Sequence, residues 1–427
     1  IKNLFHLLAA ILANTIVWFP GKKLNAIGVT GSDGKTTTAN LIHHILTTAG
    51  YKTGISSTLS SAHTTTPGRW RLQKFLRQCL DNGCTHVVLE VSSIAIDQHR
   101  IWGIDFATGV LTNIANNEHL DYHGNFENYR DSKIKFLKSC HKIITNGDDP
   151  SVALINGAIY QQKLAKPMLR STSDREAGVI HYSLKDWGKY DYETQLVGDF
   201  NRMNILAATT VAREMGISPD VIAKAVASFQ PPSGRLEFIV KKPFSIIVDF
   251  AHTPQAFEKV LPVAASMKRL AASKLIHVFG CTGDRDRSKR PIMGQIASKF
   301  DDVIILTHED TYSEDREKII DDIEKGISTT RHPGIFSSSW KEPERPIGST
   351  KKILSPFGLQ NDEKSLQHDD NYYRIPDRRD AIKKALEIAK PGDVVIITGV
   401  GHQKSLNIGG KEVPWSDQKV VRELLKA

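Results

Sequence analysis

Cysteine is scarce in this chain. Its 427 residues include four, Cys79, Cys84, Cys140 and Cys281, and none forms a C-x-x-C pair. That pattern argues against a zinc ribbon and a disulfide scaffold, and points to a reducing, cytoplasmic setting. Long apolar runs are also absent. The longest, Leu4 to Phe19, is interrupted by His6, Asn14 and Thr15. It is short for a membrane span and lacks the basic start and cleavage pattern of a signal peptide. Two readings of it stay open: a helix packed on the neighbouring domain, favoured by length and polarity, and a helix docked on a membrane surface. No internal repeat, dense Lys/Arg block or nucleic-acid recognition motif occurs. The net charge of +9, from 56 basic and 47 acidic residues, therefore fits a small polyanionic ligand such as a nucleotide rather than nucleic acid.

What the chain does have is a phosphate loop. Residues 28–38 read Gly-Val-Thr-Gly-Ser-Asp-Gly-Lys-Thr-Thr-Thr. An apolar run, Ala26 to Val29, precedes them, and Lys35 to Thr48 has helical patterning. Strand, glycine loop and helix in that order let backbone N–H groups and a helix N-terminus hold phosphates. Lys35 would reach the β/γ-phosphates and the Thr36 hydroxyl a Mg²⁺ ion. The strict GxxxxGK[ST] form fails at Val29; the shorter Gly31-x-x-Gly34-Lys35-Thr36 replaces it.

The length allows two or three domains. Strands are expected at Leu24–Thr30, His86–Val91, Thr108–Ile114 and Lys142–Asn146, with helices over Glu127–Cys140 and Asn201–Met215. Pro231-Pro232-Ser233-Gly234 marks a boundary. Alternation then restarts, with strands at Phe244–Phe250, Lys274–Gly280, Asp302–Thr307 and Asp393–Gly399. Helices are expected over Pro254–Leu270, Arg290–Phe300, Glu314–Gly326 and Arg378–Ala389. The expected fold is α/β: a P-loop ATPase domain with a mainly parallel sheet, then a Rossmann-like doubly wound domain. The expected divisions are an apolar helix at 1–23, the nucleotide domain at 24–234 and the second domain at 235–427. An aperiodic polar insertion is expected at about 331–373.

The loop resembles that of the Mur ligase family, and further motifs occur in that family's order. They are Glu90-Val91-Ser92-Ser93, Asn117 to Gly124, Gly234-Arg235-Leu236-Glu237, Asp249 to Pro254, and Gly280 to Arg287. The likeness covers residues 24–427 and is greatest to the branch that adds the third amino acid of a peptidoglycan precursor. It implies a cytoplasmic, monomeric, ATP- and Mg²⁺-dependent ligase whose partners are small molecules, a nucleotide-sugar peptide and an amino acid. Such an enzyme phosphorylates a carboxylate, and the acyl phosphate is then attacked by an amine. The family has an N-terminal domain for the uridine end of its substrate; here residues 1–23 are expected to stand in its place.

The resemblance also assigns roles. Gly31, Asp33, Gly34, Lys35, Thr36 and Thr37 would hold ATP, with Asn201 and Asn204 on its adenine side and Arg235, Asp249 and His252 as further contacts. Thr36, Glu90 and His119 would bind metal. Lys133 matches a lysine that carries a CO₂-derived carbamate, which turns a cation into an oxygen ligand. The alternatives are helix capping for Asn201, a strand-end carboxylate for Glu90, a structural histidine for His119 and a solvated helix lysine for Lys133. Thr64, Thr65 and Thr66, after His63, with Ser92, Ser93 and Arg100, would hold the acid substrate; a ligand-free Ser/Thr loop is the alternative. Asp310, Gly399 and His402 would hold the amino acid.

Two motifs depart from the diaminopimelate-adding members. Their Asp-Asn-Pro-Arg is Glu309-Asp310-Thr311-Tyr312 here, and their Gly-Lys-Gly-His-Glu is Gly399-Val400-Gly401-His402-Gln403. Both distal charges are replaced, so the expectation is an amino acid other than diaminopimelate, with lysine, ornithine and uncharged residues open. A folylpolyglutamate- or poly-amino-acid-synthetase-like ligase, or a nucleotide-binding partner subunit, are the competing readings.

Overall fold

The computed structural model describes residues 2–60, 64–115, 120–164, 179–190, 192–331 and 371–426. It divides into two units, Ile1–Glu237 and Phe238–Ala427.

The first unit is built on six parallel strands: β1 (Asn25–Thr30), β2 (Thr53–Ser56), β3 (His86–Glu90), β4 (Phe106–Leu111), β5 (Lys142–Asn146) and β6 (Val179–Tyr182). Their order is β2-β3-β1-β4-β5-β6. A parallel strand buried on both faces reads as a continuous apolar run, as β1 and β3 do. Ile27, Val29, Val88 and Val110 pack on one face against Ile42 and Ile45 of helix Lys35–Thr48 and Ile205 of helix Asp199–Glu214. Ala26, Val87, Leu89 and Phe106 pack on the other against Leu72 and Leu76 of helix Arg69–Asp81 and Phe136 of helix Phe126–Lys138. The α/β reading therefore holds.

Local boundaries differ where tertiary contacts take over. The strand expected at Thr108–Ile114 runs from Phe106 to Leu111. Thr112 to Ala115 leave the sheet because their polar groups bond to the phosphate loop and to Asp149. The N-terminal helix spans Lys2–Ile16, and Trp18 and Phe19 (φ 58° and 50°) end it. Ala10, Ala13 and Asn14 are its buried residues, and Asn14 donates to the Trp102 carbonyl at 2.9 Å. Among the described residues, no helix is long and apolar enough to cross a membrane.

The second unit carries β7 (Glu237–Val240), β8 (Ser245–Val248), β9 (Leu275–Phe279), β10 (Val303–Leu306), β11 (Tyr372–Arg374) and β12 (Val394–Ile397), in the order β11-β10-β9-β12-β8-β7. The pairs from β11 through β8 are parallel. A hairpin of β13 (Ser405–Ile408) and β14 (Lys411–Pro414) comes next. The helix after β10 runs Arg316–Arg331, and β11 begins at Tyr372. The expected insertion is thus bounded by regular structure, and its residues 332–370 lie outside the described set.

Arg378 fastens this unit. It is fully buried, donates to both Asp417 oxygens at 2.8 Å, and reaches the carbonyls of Thr398 (2.8 Å) and His308 (3.3 Å). Removing one member of a buried pair leaves an uncompensated charge. Arg378→Met should therefore cost about 3–5 kcal/mol, read as an earlier unfolding transition in urea. Asp417→Asn, which turns one of the two accepting oxygens into a donor facing Arg378 and leaves the guanidinium uncompensated, should cost a similar amount.

Candidate active site

In the first unit the chain leaves β1 toward β2 and later leaves β4 toward β5. The carboxyl ends of β1, β3 and β4 therefore border a point where strand order reverses, the place where open parallel sheets bind ligands. The loops after these strands carry Gly31 to Thr37, Glu90 to Ser93, and Thr112 to Ala115.

The phosphate loop is held from below. Thr112 Oγ1 donates to the Asp33 carbonyl at 2.5 Å, and Asp33 N–H donates to Asn113 Oδ1 at 2.9 Å. Ser32 Oγ lies 2.7 Å from the Tyr129 hydroxyl and accepts the Ala115 N–H at 2.8 Å. Gly31 is required here. Its φ is +151°, and a Cβ would fall 1.9 Å from Thr112 Oγ1. Gly34, at φ +79°, caps the helix that begins at Lys35.

Two lysines converge on one acceptor. Lys35 Nζ and Lys133 Nζ each donate to the Gly31 carbonyl at 2.9 Å, and Lys35 also donates to the Ser32 carbonyl. Their nitrogens thus lie within about 6 Å of each other, where like charges repel. Lys133 is buried and sits 4.5 Å from the centre of the Tyr129 ring. It is not a solvated helix lysine.

Glu90 is buried at the end of β3. Its carboxylate accepts the Thr36 hydroxyl at 3.2 Å, and the Thr58 N–H and hydroxyl at 2.9 Å each. Burial pushes its carboxyl above the ordinary glutamate range; Thr58, Lys35 and Arg235 oppose that shift. Arg235 Nη2 lies 3.4 Å from Thr36 Oγ1. Thr36 and Glu90 form an oxygen donor pair of the kind Mg²⁺ takes. Among the described residues, no three His, Cys, Asp or Glu side chains gather as a metal site. His119 and His63 lie outside the described residues.

The remaining expected residues fall into separate groups. Asn204 bonds Thr38 and Asn201 (3.2 Å each), and Asn201 donates to the Val197 carbonyl at 2.8 Å. The helix cap is Gly198, not Asn201. Thr37 is buried in the first turn after the loop. Thr66 Oγ1 donates to the Glu90 carbonyl at 2.8 Å and accepts the Ser92 N–H at 3.0 Å, and Arg100 donates to the Thr66 carbonyl at 2.8 Å. This ties the Thr64–Thr66 loop to the strand that carries Glu90. Ser93 is buried beside it.

In the second unit, Asp249 accepts the Ala251 N–H at 2.7 Å, and His252 Nδ1 lies 2.8 Å from the Phe250 carbonyl. Asp310 accepts the Asn407 N–H at 2.7 Å, with Gln403 at 3.4 Å. Gly399, at φ +100°, leaves room for Glu309: a Cβ would meet Glu309 Oε1 at 1.8 Å. His402 stacks at a tilt on Phe250, 4.8 Å between ring centres. Tyr312 has φ 48°, and burial pushes its hydroxyl above the ordinary tyrosine range, with Asp310 adding to the shift and Arg285 opposing it. Sequence reasoning also missed Thr58, Thr112, Asn113 and Tyr129. Ordinary residue types far apart in the chain gave no local signal for them.

Residues 29–212 match the Mur ligase middle domain, and residues 234–342 the Mur ligase, glutamate ligase domain. The chain is 37% identical over 424 residues to the UDP-N-acetylmuramoyl-L-alanyl-D-glutamate–2,6-diaminopimelate ligase of Aquifex aeolicus, covering 95% of this chain and 78% of that one. A solved structure of a ligase of that same name is 28% identical, with a TM-score of 0.56, covering 95% of this chain and 79% of the other. Folylpolyglutamate synthase of Mycobacterium tuberculosis, complexed with ADP and AMPPCP, has a TM-score of 0.61 at 14% identity over 91% of each chain. That last likeness is one of fold alone.

Gly31→Ala should push the loop off Thr112, whose hydroxyl is committed to Asp33. A cost of about 1–3 kcal/mol is expected. The checks are a lowered thermal midpoint and loss of fluorescent-nucleotide binding; retained binding would contradict this role for Gly31.

Proposed function

The chain belongs to the Mur ligase family, and from that premise we propose that it joins an amino acid to the carboxylate of a UDP-muramyl dipeptide or a close relative. The reaction uses ATP and Mg²⁺ and passes through an acyl phosphate, as a step of peptidoglycan precursor synthesis. The observation that carries this reading is the meeting of the phosphate loop with Glu90 through Thr36 at the sheet's switch point.

Bound MgATP supplies a transferable phosphoryl group and positive charge against it. Around it, Gly31, Asp33, Gly34 and Thr37 present the loop, and Lys35 and Arg235 face the phosphates. Thr36 and Glu90 are metal ligands, with His119 from its motif. Asn201 and Asn204 serve the base. The hydroxyls of Thr64, Thr65, Thr66, Ser92 and Ser93, with the Arg100 guanidinium, hold the acid substrate. Asp310, Gly399 and His402 serve the amino acid.

Lys133 is assigned as the carbamylated lysine. Two ammonium groups on one carbonyl repel each other, and converting one to an anion relieves that repulsion and adds an oxygen ligand.

For the amino acid, the relatives' name gives 2,6-diaminopimelate, and Arg285, whose charge acts on Tyr312, is a candidate guanidinium for a distal carboxylate. A basic or neutral amino acid is the second reading, favoured by uncharged Tyr312 and Gln403.

The test is phosphate release from MgATP with UDP-muramyl-alanyl-glutamate and a panel holding diaminopimelate, lysine, ornithine and neutral amino acids. Release that needs both the dipeptide and one amino acid, with a ligated product by mass, is the expected result. Release without the dipeptide would sink the reading. Glu90→Ala should lower turnover by about a thousandfold or more with the fold intact by circular dichroism. Turnover should fall on removal of dissolved CO₂ and return with bicarbonate. Lys133→Ala should remain inactive in bicarbonate, and an indifferent wild type would refute the carbamate.

A further inference from the structure

Residues 112–115 follow β4 and form a strap with two sets of bonds. One set goes to the phosphate loop. Thr112 Oγ1 donates to the Asp33 carbonyl and Asn113 Oδ1 accepts the Asp33 N–H. The Asn113 carbonyl accepts the Ser32 N–H at 3.0 Å, and the Ala115 N–H donates to Ser32 Oγ. The other set goes to the end of β5, where two side chains take hold of the strap's backbone. Asn146 Nδ2 donates to the Thr112 carbonyl at 3.1 Å, and Asp149 Oδ2 accepts the Ile114 N–H at 2.8 Å. The buried Tyr182 hydroxyl, from β6, donates to the Leu111 carbonyl at 3.2 Å.

The turn that carries these two side chains is itself fixed. Asn146 Oδ1 accepts the Asp148 N–H at 2.9 Å, and the Gly147 N–H donates to the Tyr182 carbonyl at 2.7 Å. Asp148 accepts the Ser183 hydroxyl and the Leu184 N–H, each at 2.7 Å. Asp149 lies just before helix Val152–Leu164, and its Oδ1 accepts the Ser151 N–H at 2.8 Å. A helix-start aspartate needs one oxygen for its own turn. The second oxygen of Asp149 is committed instead to backbone 35 residues away, at Ile114.

We infer that Asn146 and Asp149 are positioning residues for the nucleotide. Through residues 112–115 they hold the phosphate loop in its phosphate-accepting shape before ATP arrives. The inference rests on the nucleotide site described above and assigns residues outside its motifs. Donors aimed in advance need no reorganisation when the ligand charge appears. A loop that is only partly in the accepting shape binds more weakly, in proportion to the competent fraction.

The test is steady-state kinetics and fluorescent-nucleotide binding by the whole chain carrying Asp149→Ala, Asn146→Ala or Asp149→Asn. Asp149→Ala should raise KM for ATP and Kd for the fluorescent nucleotide about tenfold, as for a loop competent about a tenth of the time. Its kcat at saturating ATP, and KM for the dipeptide and the amino acid, should stay near the parent's. Asn146→Ala, which leaves the Asp149 contact to Ser151 in place, should show the same split. Asp149→Asn keeps the shape of the side chain but offers one accepting oxygen to two N–H groups. It should move nucleotide affinity in the same direction, and it keeps the test decisive if an alanine variant fails to fold. A lowered thermal midpoint with nucleotide affinity unchanged in every folded variant would make Asp149 a helix cap and overturn the inference. So would a common rise in KM for all three substrates. A parent chain that binds the nucleotide without ligating the dipeptide would sink the proposed ligase, and the nucleotide-binding arm would still decide this inference.

Discussion

The carbonyl of Gly31 accepts a hydrogen bond from Lys35 and another from Lys133, and much of the first unit is arranged around that shared oxygen. Lys35 comes from the helix after β1. Lys133 comes from the helix between β4 and β5, about a hundred residues away in sequence. The parallel sheet brings them together because β1 lies beside β4, so the loop at the end of β1 is roofed by the segment that connects β4 to β5. Gly31 is the residue that allows it. Any side chain there would strike Thr112, and the loop could not close over both lysines.

Glu90 completes the arrangement from the other neighbour of β1. A buried carboxylate is costly unless its oxygens are satisfied. Thr36 and Thr58 hydrogen-bond to them. The raised carboxyl and the crowded lysines are opposite imbalances in one small volume. A carbamate on Lys133 and a phosphate chain with its metal would correct both, the phosphates bringing negative charge to Lys35 and the metal positive charge to Glu90 and the carbamate. The geometry is thus already matched to a magnesium nucleotide, which is the basis for reading it as a phosphoryl-transfer site.

Much of this was legible in the sequence because it is local. The apolar run before Gly31, the loop and the helix after it are contiguous, and β5 and the helix beginning at Pro254 can be read from patterning and a proline at the first helical turn. The partners that hold the site were not legible. Thr58 and Tyr129 are ordinary residues whose roles come only from strand order. Strand β4 ended early because, past the last ladder bond from Thr112 N–H to the Thr30 carbonyl, the side chains of Thr112 and Asn113 and the Asn113 carbonyl bond the phosphate loop, a tertiary contact that β-propensity cannot register. At position 312 the sequence names the tyrosine but not the charges that act on it, Asp310 beside it and Arg285 from another loop.

The most direct test of an acyl phosphate here is the fate of the acid's oxygen. With the glutamyl carboxylate of the dipeptide labelled with heavy oxygen, the amine displaces phosphate by breaking the bond between acyl carbon and that oxygen. The expected result is one heavy oxygen in each phosphate released during ligation. Phosphate free of the label, alongside a ligated product, would contradict an acyl phosphate and with it the central reading of this site.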